Sequence, residues 1–314
     1  MRSSSDSRNT LTSPSSNRLL YGGIELGGTK VICCAGHSAG EILDSDRSPT
    51  STPDQTMRWA VRRLEEFQQT HGRFDAVGIA AFGPIDLLHS SPTYGKLLNT
   101  PKAQWSGAGI LQYVRRSFDV PIALASDVEG AAMAEGMIGG AEGAGTFVYV
   151  TVGTGIGAGV ISHGEPVRGL LHPEIGHIAV PRQPGDNFPG VCPFHGDCLE
   201  GMASGPAMAG RWGRPAEEMA GALRDKAMAM EAVYLAAGIR TIVLAFAPER
   251  IVIGGGVGLT PGLLPRLSNA LETGMGGYPG LEAFSRPGFL TAAKLGGMAG
   301  PGGALVLAQR AHGA

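Results

Sequence analysis

The sequence predicts an α/β protein of two lobes with a cleft between them. Two observations carry that prediction. Near its start, "YGGIELGGTKVICCAG" reads as strand, glycine turn, strand, and the pattern restarts mid-chain in "GTFVYVTVGTGIGAGVISHGEPV". Helical and strand-like segments follow each hairpin, as expected of a sheet covered by helices. A length of 314 residues is enough for two such units.

Each element has its own local reason. After the first hairpin, "EILDSDRSP" reads as a third strand. "TPDQTMRWAVRRLEEFQQTHG" reads as a helix with Thr52 as N-cap, Pro53 at the first helical position and apolar residues at helical spacing. "FDAVGIAAFGPID" is a buried strand running into a Gly-Pro turn. "SGAGILQYVRRSF" is read as a helix, and "VPIALASDVEGAAMAEGMIGGA" as a short strand passing into one. Beyond the second hairpin, "AMAMEAVYLAAGIRTIVLAFA" reads as a helix and "RIVIGGGVGLTP" as a strand ending in a glycine turn. "GPGGALVLAQRAH" reads as a terminal helix after a Gly-Pro break.

Composition narrows the function classes. Hydrophobic residues at 43% and charged residues at 17% describe a soluble globular chain. A net charge of −2 leaves no electrostatic footprint for nucleic acid or an anionic membrane. No uncharged apolar run approaches the roughly 18–20 residues needed to span a bilayer. The opening "MRSSSDSRNTLTSPSSNR" lacks the apolar stretch of a secretion signal and is read as a disordered extension. Four cysteines in so long a chain make no disulfide scaffold, and a reducing cytoplasm suits them. Cys33 and Cys34 lie in an apolar run and read as core residues.

Three turns follow apolar strands and leave backbone amides uncovered: Gly27, Gly28 and Thr29; Gly153 to Gly157; and Gly254 to Gly258. They read either as tight hairpin turns or as anion-binding concavities for nucleotide phosphates. The dinucleotide fingerprint is not expected, because a strand rather than a helix follows "GTGIGAG". The GxxxxGK[ST] pattern does not occur. Asp127 stands where a strand becomes a helix. Position alone favours a helix N-cap there; the alternative is a general base at the cleft.

His177, Cys192, His195 and Cys198 sit in a Pro/Gly-rich segment with the spacing His-x14-Cys-x2-His-x2-Cys. Two thiolates and two imidazoles suit tetrahedral zinc, and four protein ligands point to a structural site. Scattered polar loop residues are the alternative. A metal there would fix Glu174 and Glu200 in space, a carboxylate pair suited to sugar hydroxyls.

Together, "GIELGGTK", "SDVEGAA", "VTVGTGIGAG", "HPEIGH", "CPFHGDCLEGMASGPA" and "RIVIGGGV" resemble the repressor–ORF–kinase (ROK) family over about residues 20–312. The "TYGKLLNTPKAQW" segment and the Cys-x2-His-x2-Cys detail are similar to its bacterial fructokinase branch. The resemblance implies an actin-like (ribonuclease H-like) two-lobed sugar kinase fold, usually dimeric. It also implies ATP and Mg²⁺ as cofactors, Zn²⁺ in the loop, and phosphorylation of D-fructose at O6. On it, Asp127 becomes the catalytic base, reversing the capping preference. Glu174, His177, Glu200 and Asn99 become sugar contacts, with His177 also a zinc ligand. Thr154, Gly155, Pro206 and the Gly254, Gly255, Gly256, Val257, Gly258 turn fall near ATP, and the Gly27–Thr29 turn becomes a phosphate loop. Three residues depart from the family pattern: Ser126 and Glu129 stand where Asn is common, and Glu25 where Asp is commoner.

The expected division is an extension over 1–18, an N-terminal lobe over 19–125, and a C-terminal lobe over 126–300 with the zinc loop 177–198. A terminal helix over 301–314 is expected to return to the first lobe. The rival functions are a kinase of glucose, mannose or an N-acyl hexosamine, a sugar-sensing regulator, and a silent sugar binder. A regulator would need a helix-turn-helix before the first glycine turn, where only a short polar stretch stands.

Overall fold

The computed structural model describes residues 18–314. The expected disordered extension falls, but for Arg18, outside the described residues; Arg18 itself pairs with Glu41. The first sheet begins with the antiparallel ribbon β1 (Tyr21–Leu26), β2 (Lys30–Ser38) and β3 (Glu41–Pro49). α1 (Pro53–His71) then crosses to β4 (Ala76–Ala81), which lies parallel to β1, and α2 (Ile110–Arg115) leads to β5 (Ile122–Ser126), parallel to β4. Thr52 caps α1, accepting from the Gln55 amide, and Met57, Ala60, Leu64 and Phe67 form its buried stripe. The helix read over 106–118 is shorter than expected. Gly107 takes a positive φ and Gly109 becomes the N-cap, so only 110–115 is helical.

The second sheet repeats this plan. β6 (Thr146–Val152), β7 (Ile156–Ser162) and β8 (Glu165–Pro166) make the ribbon, and β9 (Arg250–Gly254) and β10 (Leu290–Ala292) extend it in parallel. The strand orders β3-β2-β1-β4-β5 and β8-β7-β6-β9-β10 are the same arrangement, so the restart visible in the sequence is a structural repeat. Between the sheets runs α3 (Asp127–Ile138). α4 (Leu199–Ala203), α5 (Gly205–Trp212), α6 (Gly221–Phe246) and α7 (Leu263–Met275) belong to the second lobe. The sequence reading left α7 unassigned, although Leu263, Leu267, Leu271 and Met275 mark it at four-residue spacing. α6 is long and apolar enough to cross a membrane, but half of its apolar window is buried in the second lobe's core.

The last helix, α8 (Ala299–Gly313), packs on β1, β2, β4 and α3. It contradicts the expected Gly-Pro break by starting before Gly300 and running through Pro301. A proline is tolerated there because first-turn amides have no intrahelical partner. Each lobe has its own apolar core, and a third cluster joins them through α3 and α8, with Ala80, Ala132, Phe147, Tyr149 and Val306 among its members.

Candidate active site

Asp127 is not the N-cap that position alone favoured. Ser126 holds that place: its hydroxyl accepts from the Glu129 amide at 3.3 Å, and Glu129 Oε2 accepts from the Ser126 amide at 2.9 Å. This reciprocal capping box satisfies the helix start and leaves Asp127 as the first helical residue. Its Oδ1 accepts from the Val128 amide at 2.8 Å. Burial pushes the Asp127 carboxyl up to about 6; nearby amides pull it down and the Glu129 charge pushes it up further.

Two hollows open on either side of Asp127. The first, of 420 Å³, is walled by Gly83, Pro84 and Asn99 from the first lobe and by Glu174, His177 and Glu200 from the second. The second, of 430 Å³, lies between Glu25 and Lys30 of the first hairpin and Tyr149, Thr151, Gly255 and Gly256 of the second sheet. Asp127 and its neighbour Val128 line both.

The acids around these hollows crowd one another. Burial pushes Glu174 up to about 7, with Asp127 and Glu200 adding to the effect. Burial also pushes Glu25 up to about 7, against the pull of Lys30 and with the push of Asp127. Glu25 Oε2 is buried without a hydrogen-bond partner. Glu200 is anchored differently: its Oε2 accepts from the Ile156 amide at 2.9 Å, fixing α4 to the β6–β7 turn.

The expected phosphate-binding turns divide. At the end of β9, Gly255 has a φ of +81°, and a Cβ there would lie 2.3 Å from the Val152 carbonyl, so only glycine fits. The Val257 and Gly258 amides both donate to that same carbonyl, at 2.9 and 3.1 Å, and are therefore engaged within the fold. Gly254 ends the strand beneath Tyr149, while Gly256 faces open space. Gly205 donates to the Gly153 carbonyl at 2.7 Å, joining the segments that carry Pro206 and Thr154–Gly155, but these three residues line neither hollow. Gly27, Gly28 and Thr29 also lie outside both linings, and the Gly27 amide is engaged by Lys30 O at 2.9 Å.

Other residues that face the hollows went unremarked in the sequence. Lys30, Tyr149, Thr151, Gly296 and Gly297 reach the second hollow, and His172 the first. The Gly296–Gly297 pair in "KLGGMAG" carries the same sign as "ELGGTK", a glycine pair after a leucine.

His177, Cys192, His195 and Cys198 converge, with one ligand atom from each lying within 4.8 Å of all the others. Cys192 Sγ stands 3.7 Å from Nδ1 of both His177 and His195, and Cys198 Sγ stands 3.6 Å from His177 Nδ1. Zinc bonds of about 2.3 Å to sulfur and about 2.0–2.1 Å to nitrogen at tetrahedral angles put those atoms about 3.6 Å apart. These contacts therefore fit the edges of a metal tetrahedron. The loop is tight: a Cβ on Gly201 would lie 1.9 Å from the Gly196 carbonyl.

Residues 21–311 match the ROK family. The chain belongs to the ROK family. It is 42% identical over 250 residues to a fructokinase of Zymomonas mobilis, covering 79% of this chain and 83% of that one. It is 36% identical over 293 residues to a fructokinase of Pediococcus pentosaceus, covering 93% and 99%. The ROK hexokinase of Thermus thermophilus superposes with a TM-score of 0.75 at 27% identity, covering 93% of this chain and 98% of that one. The fold is thus the actin-like two-lobed architecture of ROK sugar kinases. Within that ROK frame, the two hollows meeting at Asp127 lie in the cleft between the lobes.

Proposed function

We propose that the protein is a fructokinase, transferring the γ-phosphoryl group of ATP to the 6-hydroxyl of D-fructose with Asp127 as general base. One observation carries the reading: among the described residues, Asp127 is the only carboxylate that lines both hollows. A phosphoryl transfer joins two ligands at one point, and the base must stand at that point. Fructokinase relatives at 34–42% identity over most of the chain support the sugar kinase class.

Fructose takes the first hollow and the nucleotide the second. Glu174 and Glu200 accept hydrogen bonds from sugar hydroxyls, and Asn99 reaches them from the opposite lobe. Asp127 accepts the O6 proton as the O6–phosphorus bond forms and the bond to the ADP leaving oxygen breaks. A carboxyl that titrates near pH 6 is ionised at neutral pH yet more basic than a free aspartate, which suits the task. Magnesium, when bound with the nucleotide, neutralises phosphate charge; the unpartnered Glu25 Oε2 is an oxygen donor that fits it. Lys30 lines the same hollow and adds positive charge. His177, Cys192, His195 and Cys198 would hold a zinc ion that would order the 177–198 loop, and with Nδ1 of His177 facing the thiols its other ring nitrogen would remain the protonated donor.

Asp127→Asn keeps the shape and removes the base. Turnover should fall by about 10²–10⁴-fold with the fructose KM little changed. Near-normal turnover in a folded variant would sink the mechanism. The rival reading, a kinase of another hexose, draws on Ser126 lining the sugar hollow where relatives of the family commonly have Asn. ATP-consumption assays with fructose, glucose, mannose and N-acetylmannosamine side by side decide between them.

A further inference from the structure

Glu129 lies deep in the molecule, its side chain 2% exposed, and three donors reach it. The Ser126 amide donates to Oε2 at 2.9 Å, Arg168 Nε to Oε1 at 2.8 Å and Arg168 Nη2 to Oε2 at 3.0 Å. The last two form a fork, the geometry that makes an arginine–carboxylate pair directional. One end of this contact is the start of α3, two residues from Asp127. The other is the segment after β8, four residues before His172 and six before Glu174.

That segment needs a tether. Leu170 is 93% exposed, Gly169 has open space around its Cα, and residues 167–174 hold no strand or helix. Its far end is placed by His172, buried at 7% exposure, whose Nε2 lies 3.5 Å from the Ile85 amide and whose Nδ1 lies 3.7 Å from Glu174 Oε1. We infer that Arg168 is a positioning residue: forked onto Glu129, it ties the loop that grips the sugar to the helix that begins with Asp127. Glu129 is one of the departures from the family pattern. An asparagine there could still serve the cap, but it would carry no charge for a guanidinium.

Asp127 is faced by Glu25 from β1, Tyr149 from β6, Glu174 from the 168–174 loop, and Glu129 on its own helix. Lys30 from β2 balances Glu25, while Arg168 is the cation beside Glu129; His172 also lies in the field of both members of that pair. Arg168 therefore has two separable effects, position through its fork and charge through Glu129.

The inference rests on Asp127 acting as base, and the experiment separates the two. Arg168→Met, Arg168→Lys and Glu129→Gln are assayed with D-fructose and MgATP across pH 5 to 9. Arg168→Met should raise the fructose KM about tenfold, leave the ATP KM within about twofold, and move the acid limb of kcat/KM up by about half to one pH unit. Arg168→Lys keeps the charge but loses the fork, so its acid limb should hold while the fructose KM still rises. Glu129→Gln should move the limb down. An Arg168→Met variant with wild-type fructose KM and an unmoved limb overturns the inference. So does an equal rise in both KM values alongside a lowered Tm, which marks a merely structural role. Fructose affinity measured by calorimetry in Asp127→Asn, with and without Arg168→Met, reads the loop without the chemistry. Active Asp127→Asn removes the base reading alone, whereas equal affinities in that pair remove the tether alone.

Discussion

The ligand-free protein should become more stable as the pH falls from 8 to 6. Burial pushes Glu25 up to about 7 and Asp127 up to about 6, from ordinary values of 4.5 and 3.8. Between the ordinary and raised values the folded chain binds more protons than the unfolded chain. Stability therefore falls as pH rises through that window and levels off above it. Integrated from pH 8 to 6, Glu25 regains about 1.4 kcal/mol and Asp127 about 0.4 kcal/mol, roughly 2 kcal/mol together. Glu174 pulls in the same direction, but its side chain is 43% exposed and solvent screens it, so it adds little.

For a chain of this size, that corresponds to a rise in Tm of a few degrees. Calorimetry at pH 8, 7 and 6 at constant ionic strength reads it, with the metal retained. Lower pH is avoided because protonated histidine and cysteine would release a metal. Glu25→Gln cannot ionise and should flatten most of the slope. A wild-type Tm that stays level or drops between pH 8 and 6 would refute the picture of acids crowded in a partly dry cleft. An unchanged slope in Glu25→Gln would refute the part assigned to that residue.

Metal analysis of the purified protein should find about one zinc per chain, and removal by a strong chelator should lower Tm and weaken fructose binding; a metal-free protein with full activity rejects this. Glu135, on α3, accepts from the Gly140, Lys294 and Leu295 amides at 2.6, 3.1 and 2.9 Å, and so holds the strand exit that carries Gly296 and Gly297 into the second hollow. Glu135→Gln replaces an acceptor by a donor facing those amides, and should raise the ATP KM several-fold without changing the fructose KM; equal changes in both would count against it.

Both hairpins were legible because apolar runs and glycine turns are local signals. The convergence of His177, Cys192, His195 and Cys198 was legible for the same reason, since all four lie between 177 and 198. The cap at α3 was misread by one residue, yet the distinguishing sign was present: Ser126 followed three residues later by Glu129 is a capping box, whereas Asp127 has no such partner. The β9 turn was legible as a turn, with Gly255 and Gly256 lining the second hollow, but not in its amide partners. Its five residues look alike as amide donors, and only the fold shows that the Val152 carbonyl takes two of them. The second hollow was largely illegible. Glu25, Tyr149, Gly255 and Gly296 come from four distant stretches, and no spacing rule joins them.

The glycines illustrate the same limit. The sequence places them in turns, yet several lie inside elements where two backbones nearly touch. A Cβ on Gly78 of β4 would lie 1.8 Å from the Ala304 carbonyl of α8, and one on Gly303 of α8 would lie 2.2 Å from the Gly130 carbonyl of α3. On the other side, a Cβ on Gly159 of β7 would lie 2.4 Å from the Val128 carbonyl. Glycine inside a helix or strand costs about 0.5–1 kcal/mol relative to alanine, so each position works against local stability. What the close approach achieves is the seating of α3 against the first lobe through α8 and against the second through β7. Asp127 begins that helix. Its carboxylate is thus held by both lobes at once, as the proposed role of a base between two ligands demands, because a misplacement of about 1 Å at the reacting atoms can cost a hundredfold in rate.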